Sequence, residues 1–195
     1  MPSRDFLLIT DAVAPLGDGP SPVAAAGLGR ALAAAGHSTT RDLLGSGLVA
    51  MLAHRDQFAR VSADLALAPS AVEECLRFDS PITMLRRRAV AGTTIGGRHV
   101  RAGEHIVAVL LAANRDPERF PDPDRFLVDR LDNSPVAFGG GIHFCVGAAL
   151  ARMEAQVVVS AVAREMPDLV LADGSIHWRE TPVFRGPISV HVGRG

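Results

Sequence analysis

Cysteine is scarce in this chain: its 195 residues include two, Cys75 and Cys145. Two isolated cysteines do not make the disulfide framework of a small secreted protein, so a reducing, cytoplasmic setting is expected. Excess charge is also missing. Basic residues number 20 against 21 acidic ones, for a formal net charge of −1 and a pI near 6.6. Neither nucleic acid nor an anionic membrane surface is therefore an expected partner. No apolar run is long and clean enough to span a bilayer. Residues from Pro2 to Asp11 lack the pattern of a secretory leader. Internal repeats and low-complexity segments are absent. What remains is a globular chain, long enough for one domain with a real core.

Residues 1–20 form a weakly patterned lead, in which Phe6 to Ile9 reads as a short strand or helix fragment and Leu16 to Pro20 as a loop. Ser21-Pro22 has the form of an N-cap followed by a first helical residue. A long Ala-rich helix to about Ala53 is predicted, its regularity weakened by Gly36, Gly45 and Gly47. A second helix is predicted from Asp56 to Asp64. A third opens at Pro69 and is closed by Asp79-Ser80-Pro81. The character then changes. Arg88 to Leu111 alternates as strands do, with Gly96-Gly97 as a hairpin turn. Ala113 to Arg130 is irregular and rich in Pro, Asp and Arg. Thr181 to Val192 reads as a closing hairpin around Gly186-Pro187. Helices, then small sheets, then a helix describe a mainly α protein with small β-sheets, an α+β arrangement.

The most informative stretch runs Phe138-Gly139-Gly140-Gly141-Ile142-His143-Phe144-Cys145-Val146-Gly147. It sets one cysteine at the end of a glycine-rich loop, before a helix predicted from Val146 to about Met166. On that helix Val146, Ala149, Leu150, Met153, Val157, Ala161 and Val162 recur at helical spacing. Arg152, Gln156, Ser160 and Arg164 form a polar stripe. A lone cysteine is most often a small buried hydrophobe. One at a helix start, however, meets unpaired N–H groups and the positive end of the macrodipole, which favour thiolate. The glycines Gly139, Gly141 and Gly147 let the backbone approach a flat partner and aim N–H groups at sulfur. A thiolate held this way suits the axial position of a heme iron.

The pattern Phe-Gly-x-Gly-x-His-x-Cys-x-Gly closely resembles the heme-binding signature of the cytochrome P450 family, and the likeness runs from about Ala33 to Val192. The resemblance implies heme b (iron protoporphyrin IX) as cofactor, with Cys145 as proximal ligand, Phe138 near its sulfur and His143 at a propionate. Glu74 and Arg77 share a helix face, which by spacing alone makes a solvated pair. Yet Ala71 to Arg77 resembles the family's Glu-x-x-Arg helix, which implies a buried pair clamping a third basic residue. Arg125 is the first candidate for that residue and Arg130 the second; Glu73 is an alternative acid, one position out of the pattern. Ala35 to Thr40 resembles the family's oxygen-activating segment. Thr39 matches its threonine, while Ser38 stands where the family carries an acid, leaving proton delivery to water and His37. On the residues alone, Thr39 and Thr40 simply back-bond within a helix. Three arginines, Arg86 to Arg88, are otherwise a solvated face. Counting from Pro81, the resemblance assigns Arg87 to a heme propionate, a task suited to its fork. Ile82, Thr83, Met84 and Leu85, with Thr181 to Phe184 and Val183 among them, would line an apolar pocket from two sides.

A complete member of the family is much longer. The resemblance thus implies one incomplete domain over residues 1–195, with residues 21–192 running from the central helix through the heme-binding region. Asp5 to Ala26 resembles, more faintly, part of the substrate lid. The implied activity is a monooxygenase inserting one oxygen atom from O2 into an apolar small molecule. Electrons would come from a ferredoxin or flavoprotein reductase, because no flavin or nicotinamide motif is present. The alternatives are a non-catalytic heme binder or helper subunit, and a degenerate inactive fragment. Exposed apolar faces would favour self-association or a complementing partner.

Overall fold

A computed structural model describes residues 21–172, 174 and 176–195. The expected elements of residues 1–20, and most of the faint lid likeness, lie outside them. Two units are described separately, Met1–Thr39 (from residue 21) and Thr40–Gly195.

Helix α1 spans Pro22–Ala53 and starts as predicted. The Ser21 carbonyl accepts the Ala25 N–H at 2.9 Å, and its hydroxyl accepts the Ala24 N–H at 3.4 Å, which satisfies donors that the first turn leaves open. Its glycines do not interrupt it. Gly47 instead makes room: a Cβ there would sit 3.1 Å from Cys75 Sγ. Helix α2 spans Arg55–Ala63. Asp64 follows, its carboxylate accepting the Ala66 N–H at 3.0 Å over a single 3-10 turn. Helix α3 spans Ala68–Phe78 with Pro69 in its first turn. Ala68, Ala71, Val72, Cys75 and Leu76 are buried, the i, i+3, i+4, i+7, i+8 stripe of an amphipathic helix.

The strands begin earlier than Arg88. Strand β1, Met84–Arg88, pairs antiparallel with β4, His105–Val109, placing Arg87 opposite Ile106. Strands β2, Thr93–Ile95, and β3, Arg98–Val100, form the expected hairpin. Gly96 and Gly97 have φ of 55° and 77°, the positive values that a two-residue hairpin turn of this kind needs at both central positions. A short helix α4, Leu110–Ala113, ends the strand region. Helix α5 spans Ala148–Glu165, starting after the predicted Val146. Strands β5, Leu169–Leu171, and β6, Val192–Arg194, pair antiparallel, a contact the sequence reading missed.

The closing hairpin forms, but not around Gly186-Pro187. Arg179 N donates to the Gly186 carbonyl at 3.0 Å and Ile188 N to the His177 carbonyl at 2.8 Å, so Gly186 lies in an arm. The reversal is at 181–184, where the Thr181 hydroxyl accepts the Phe184 N–H at 3.0 Å and donates to its carbonyl at 2.8 Å. Gly186 is needed for space. Buried Asp42 fills the place its Cβ would take, with Asp42 Cβ at 2.6 Å. Arg179 also donates to Asp42 Oδ1 at 3.0 Å, tying this arm to the second half of α1. Gly186→Ala should therefore cost about 1–3 kcal/mol by overpacking, read as a lower urea midpoint. A midpoint unchanged within error would show that the arm moves aside freely.

The core of the second unit joins Met51, Phe58, Val61, Val72, Leu76, Phe126 and Val128 from α1, α2, α3 and the irregular segment. Helix α5 joins it through Ala155, Val159 and Ala163. Of the expected apolar face Val162 packs against this core, whereas Leu150, Met153 and Val157 are exposed. Small side chains let α5 approach its neighbours closely, so size rather than hydropathy decides which face is buried. Among the described residues no helix is long and apolar enough to cross a membrane.

Candidate functional site

The site begins with a buried ionic clamp on α3. Glu74 and Arg77 are both fully buried. Arg77 Nε donates to Glu74 Oε2 at 2.7 Å and Nη2 to Oε1 at 2.8 Å, a bidentate pair. The other Arg77 donors meet the carbonyls of Asn114 at 3.0 Å, Pro123 at 2.8 Å and Arg125 at 3.0 Å. Glu74 also accepts the Leu127 N–H at 2.8 Å and Asn133 Nδ2 at 2.9 Å. The third basic member is Arg130, whose Nε lies 3.2 Å from Glu74 Oε2. Arg125, the first expectation, is corrected: its side chain is exposed and lies 3.7 Å from Asp122. Only the Arg125 carbonyl belongs to the clamp, accepting from both Arg77 and Arg130. The chain reverses near this point, and only the later arginine turns inward.

The clamp reaches the cysteine loop through Asn114, which the sequence reading left unassigned. Its carbonyl takes Arg77 Nη1, and its side-chain Oδ1 accepts the Val136 N–H at 2.8 Å. The Val136 carbonyl in turn accepts the Gly139 N–H at 2.9 Å. Gly139 and Gly141 have φ of 72° and 64°, a left-handed backbone that other residues resist. Gly139 also meets Leu85 of β1, whose Cδ1 would lie 3.4 Å from an added Cβ.

At the far end of the loop Cys145 N donates to the Phe138 carbonyl at 3.0 Å, and the Cys145 carbonyl accepts the Ala148 N–H at 3.2 Å. The backbone of Cys145 thus closes both the loop and the first turn of α5, leaving its thiol exposed. Phe138 lies 6.3 Å from Phe144 between ring centres. The Arg152 guanidinium stands 4.5 Å from the Phe138 ring centre. Arg152 is no free member of a polar stripe. It makes a bidentate pair with Glu73, at 2.6 and 3.0 Å. Donating to the Glu73 carboxylate raises the Arg152 guanidinium above its ordinary value, with Cys145 adding in the same direction. Gly147 is the N-cap of α5, and His143 is exposed at the end of the single 3-10 turn Gly141–His143.

Arg87 is exposed, with Nη1 donating to the Arg86 carbonyl at 3.0 Å. Residues two apart on a strand share a face, so Arg87 is on the side of β1 from which Leu85 meets the cysteine loop. The two segments expected to line a pocket lie side by side. Thr83 N donates to the Val183 carbonyl at 3.0 Å, Ile82 bridges Phe184, and Arg185 N donates to Pro81 O at 2.8 Å. These segments are backbone neighbours, not opposite walls. The Thr83 hydroxyl is spent on the Pro182 carbonyl. A cavity of about 330 Å³ lies elsewhere, lined by residues including Leu48, Met51, Cys75 and Val159. Ser38 and Thr39 lie in the first unit and back-bond within α1, to Ala34 O at 3.1 Å and Ala35 O at 2.5 Å.

Among the described residues no group of three or more His, Cys, Asp or Glu could hold a metal ion. The exposed thiol is that of Cys145, beside the exposed apolar side chains of Ile142, Phe144 and Val146. A single thiolate with no companion ligands suits a metal that brings its own equatorial donors, as heme iron does. The open Cβ positions of Gly140 and Gly141 leave the loop face clear for a flat ring, so the residues present fit that group.

The family model described as Cytochrome P450 matches residues 59–165. The chain is 43% identical over 175 residues to the cytochrome P450 monooxygenase PikC of Streptomyces venezuelae, covering 86% of this chain and 42% of that protein. It is 44% identical over 158 residues to the steroid C26-monooxygenase of Mycolicibacterium smegmatis, covering 80% and 39% respectively. The solved structure of the tirandamycin C-bound P450 monooxygenase TamI superposes with a TM-score of 0.90 at 36% identity, covering 100% of this chain and 50% of that one. The chain thus spans well under half the length of these curated relatives.

Proposed function

Because the chain belongs to the cytochrome P450 family, we propose that it carries the heme-binding region of a heme-thiolate monooxygenase, one that inserts an oxygen atom from O2 into an apolar organic molecule. The observation that carries this reading is Cys145, an exposed lone thiol on a loop tied back to a buried clamp. Cys145 would hold the iron of heme b, the cofactor of the family, while Arg87 and His143 would meet its propionates. When bound, that group supplies the reductive activation of dioxygen.

The chain's own residues supply position and protons. The Cys145 N–H is spent on Phe138, so the sulfur is presented by a closed loop and not by a free strand end. Thr39 and Ser38 would pass protons to the reacting oxygen. Each hydroxyl donates to a carbonyl within α1; to pass a proton it would turn that O–H away from the carbonyl while a lone pair accepts a proton from water. Ser38 offers no carboxylate, which leaves the proton to arrive through water. Met84, Leu85 and Val183 would contact the substrate. The electron donor would be a ferredoxin or a flavoprotein reductase, in the cytoplasm.

The test is incorporation of label. Supplied with hemin, a surrogate ferredoxin and its reductase, the protein should place one atom from ¹⁸O₂ into an apolar substrate. Bound hemin with electron flow but no labelled product from a broad substrate panel would count against the reading. A related prediction follows from α5, where Leu150, Met153 and Val157 are exposed at 54%, 57% and 64%. Such a contiguous apolar face seeks cover. Light scattering should report a mass above the monomer, and Leu150→Gln with Met153→Gln should lower it. A clean monomer in both proteins would show that the face tolerates water.

A further inference from the structure

We propose that Arg152 is a positioning residue for the cysteine loop: the Glu73–Arg152 ion pair pins the Phe138 ring, and Phe138 in turn holds Cys145. The inference rests on reading Cys145 as the working thiolate, but its geometry stands apart from any cofactor. Glu73 and Glu74 are neighbours on α3 and point to different tasks. Glu74 holds the 127–133 segment and, through Arg77 and Asn114, the entrance of the loop at Val136 and Gly139. Glu73 reaches across to α5 and grips Arg152 in two hydrogen bonds, 2.6 and 3.0 Å. The Arg152 guanidinium then lies over the Phe138 ring, 4.5 Å from its centre, a cation held against the electron-rich face. The Phe138 carbonyl accepts the Cys145 N–H at 3.0 Å. One helix therefore braces the loop at both ends.

Three features separate this strut from an ordinary surface pair. The Glu73 and Arg152 side chains are 21% and 31% exposed, so water and salt screen the pair less than a fully solvated one. Two donors of one guanidinium edge, Nε and Nη2, are matched to one carboxylate, which fixes the plane of the fork. The next charged member of the same stripe, Arg164, pairs with its neighbour Glu165 in the open and braces nothing. Lysine would keep the charge of Arg152 but not the planar fork that stacks on a ring while binding a carboxylate.

The experiment is amide hydrogen exchange at Cys145 in the full chain, without added hemin. Cys75, which is buried and whose thiol burial pushes well above the ordinary range, serves as a monitor: resistance to alkylation there reports an intact core. Arg152→Gln should speed exchange of the Cys145 N–H about tenfold while Cys75 stays protected. Glu73→Gln should act in the same direction, and Arg152→Lys should restore part of the protection. Unchanged Cys145 exchange in Arg152→Gln with Cys75 protected would overturn the proposal. Should Arg152→Gln expose Cys75, Phe138→Leu decides, since it leaves the ion pair and removes the ring. Faster exchange there supports the strut and unchanged exchange refutes it. The axial-ligand reading fails by a different result, a hemin spectrum indifferent to Cys145→Ala, and that result leaves the exchange data untouched.

Discussion

Arg77→Ala should lower the unfolding free energy by about 3–5 kcal/mol, the largest loss expected from any single substitution in this chain. All five guanidinium N–H donors are used: two on Glu74 and three on the carbonyls of Asn114, Pro123 and Arg125. Removing them takes the bidentate partner from a fully buried carboxylate, which keeps Arg130 as its counter-ion, and leaves the Asn114 and Pro123 carbonyls without that donor. A buried pair need not be stabilising overall, but breaking one is costly because the partner's desolvation is no longer offset. Glu74→Ala should cost as much, since it leaves Arg77 and Arg130 facing each other as unpaired cations. The reference is the exposed pair Arg101–Glu104, where Glu104→Ala should change stability by less than about 1 kcal/mol. Urea denaturation followed by circular dichroism measures all three. An Arg77→Ala midpoint close to that of Glu104→Ala would show that water reaches the clamp. The loop should respond as well, because Arg77 holds the Asn114 carbonyl while Asn114 Oδ1 holds Val136.

Cys145→Ala should abolish the red-shifted Soret band of the reduced carbon monoxide adduct formed with supplied hemin, and Cys75→Ala should leave it intact. The two cysteines occupy opposite environments. Cys145 is exposed at the loop end, whereas Cys75 is sealed in the core against Gly47. Burial disfavours the thiolate form of Cys75, so it cannot substitute as a ligand without unfolding its surroundings. A thiolate-type spectrum that persists in Cys145→Ala would remove the basis of the proposed function.

Much of the architecture was legible because it depends on local chemistry. Ser21-Pro22 announces the start of α1. The stripe from Ala68 to Leu76 announces α3, and Gly96-Gly97 announces the β2–β3 turn. Other features were not legible. Helix α5 carries two candidate apolar faces, and the one with larger side chains is exposed. Arg125 ranks ahead of Arg130 as sequence, yet only Arg130 turns inward. Asn114 has no pattern of its own to set it apart.

By itself the sequence determined most of the helices, the β2–β3 turn, the glycine-rich loop that carries Cys145 and the Glu74–Arg77 spacing, because each rests on short-range rules: helical periodicity, turn stereochemistry and a compact motif around Cys145. Tertiary structure decided which partners those residues take. Arg130 reaches Glu74 across 56 positions and Arg152 reaches Glu73 across 79; Gly186 is fixed by Asp42, far away in the chain. Such pairings depend on where close packing leaves room and on which buried polar groups still lack a partner, and no local pattern encodes either.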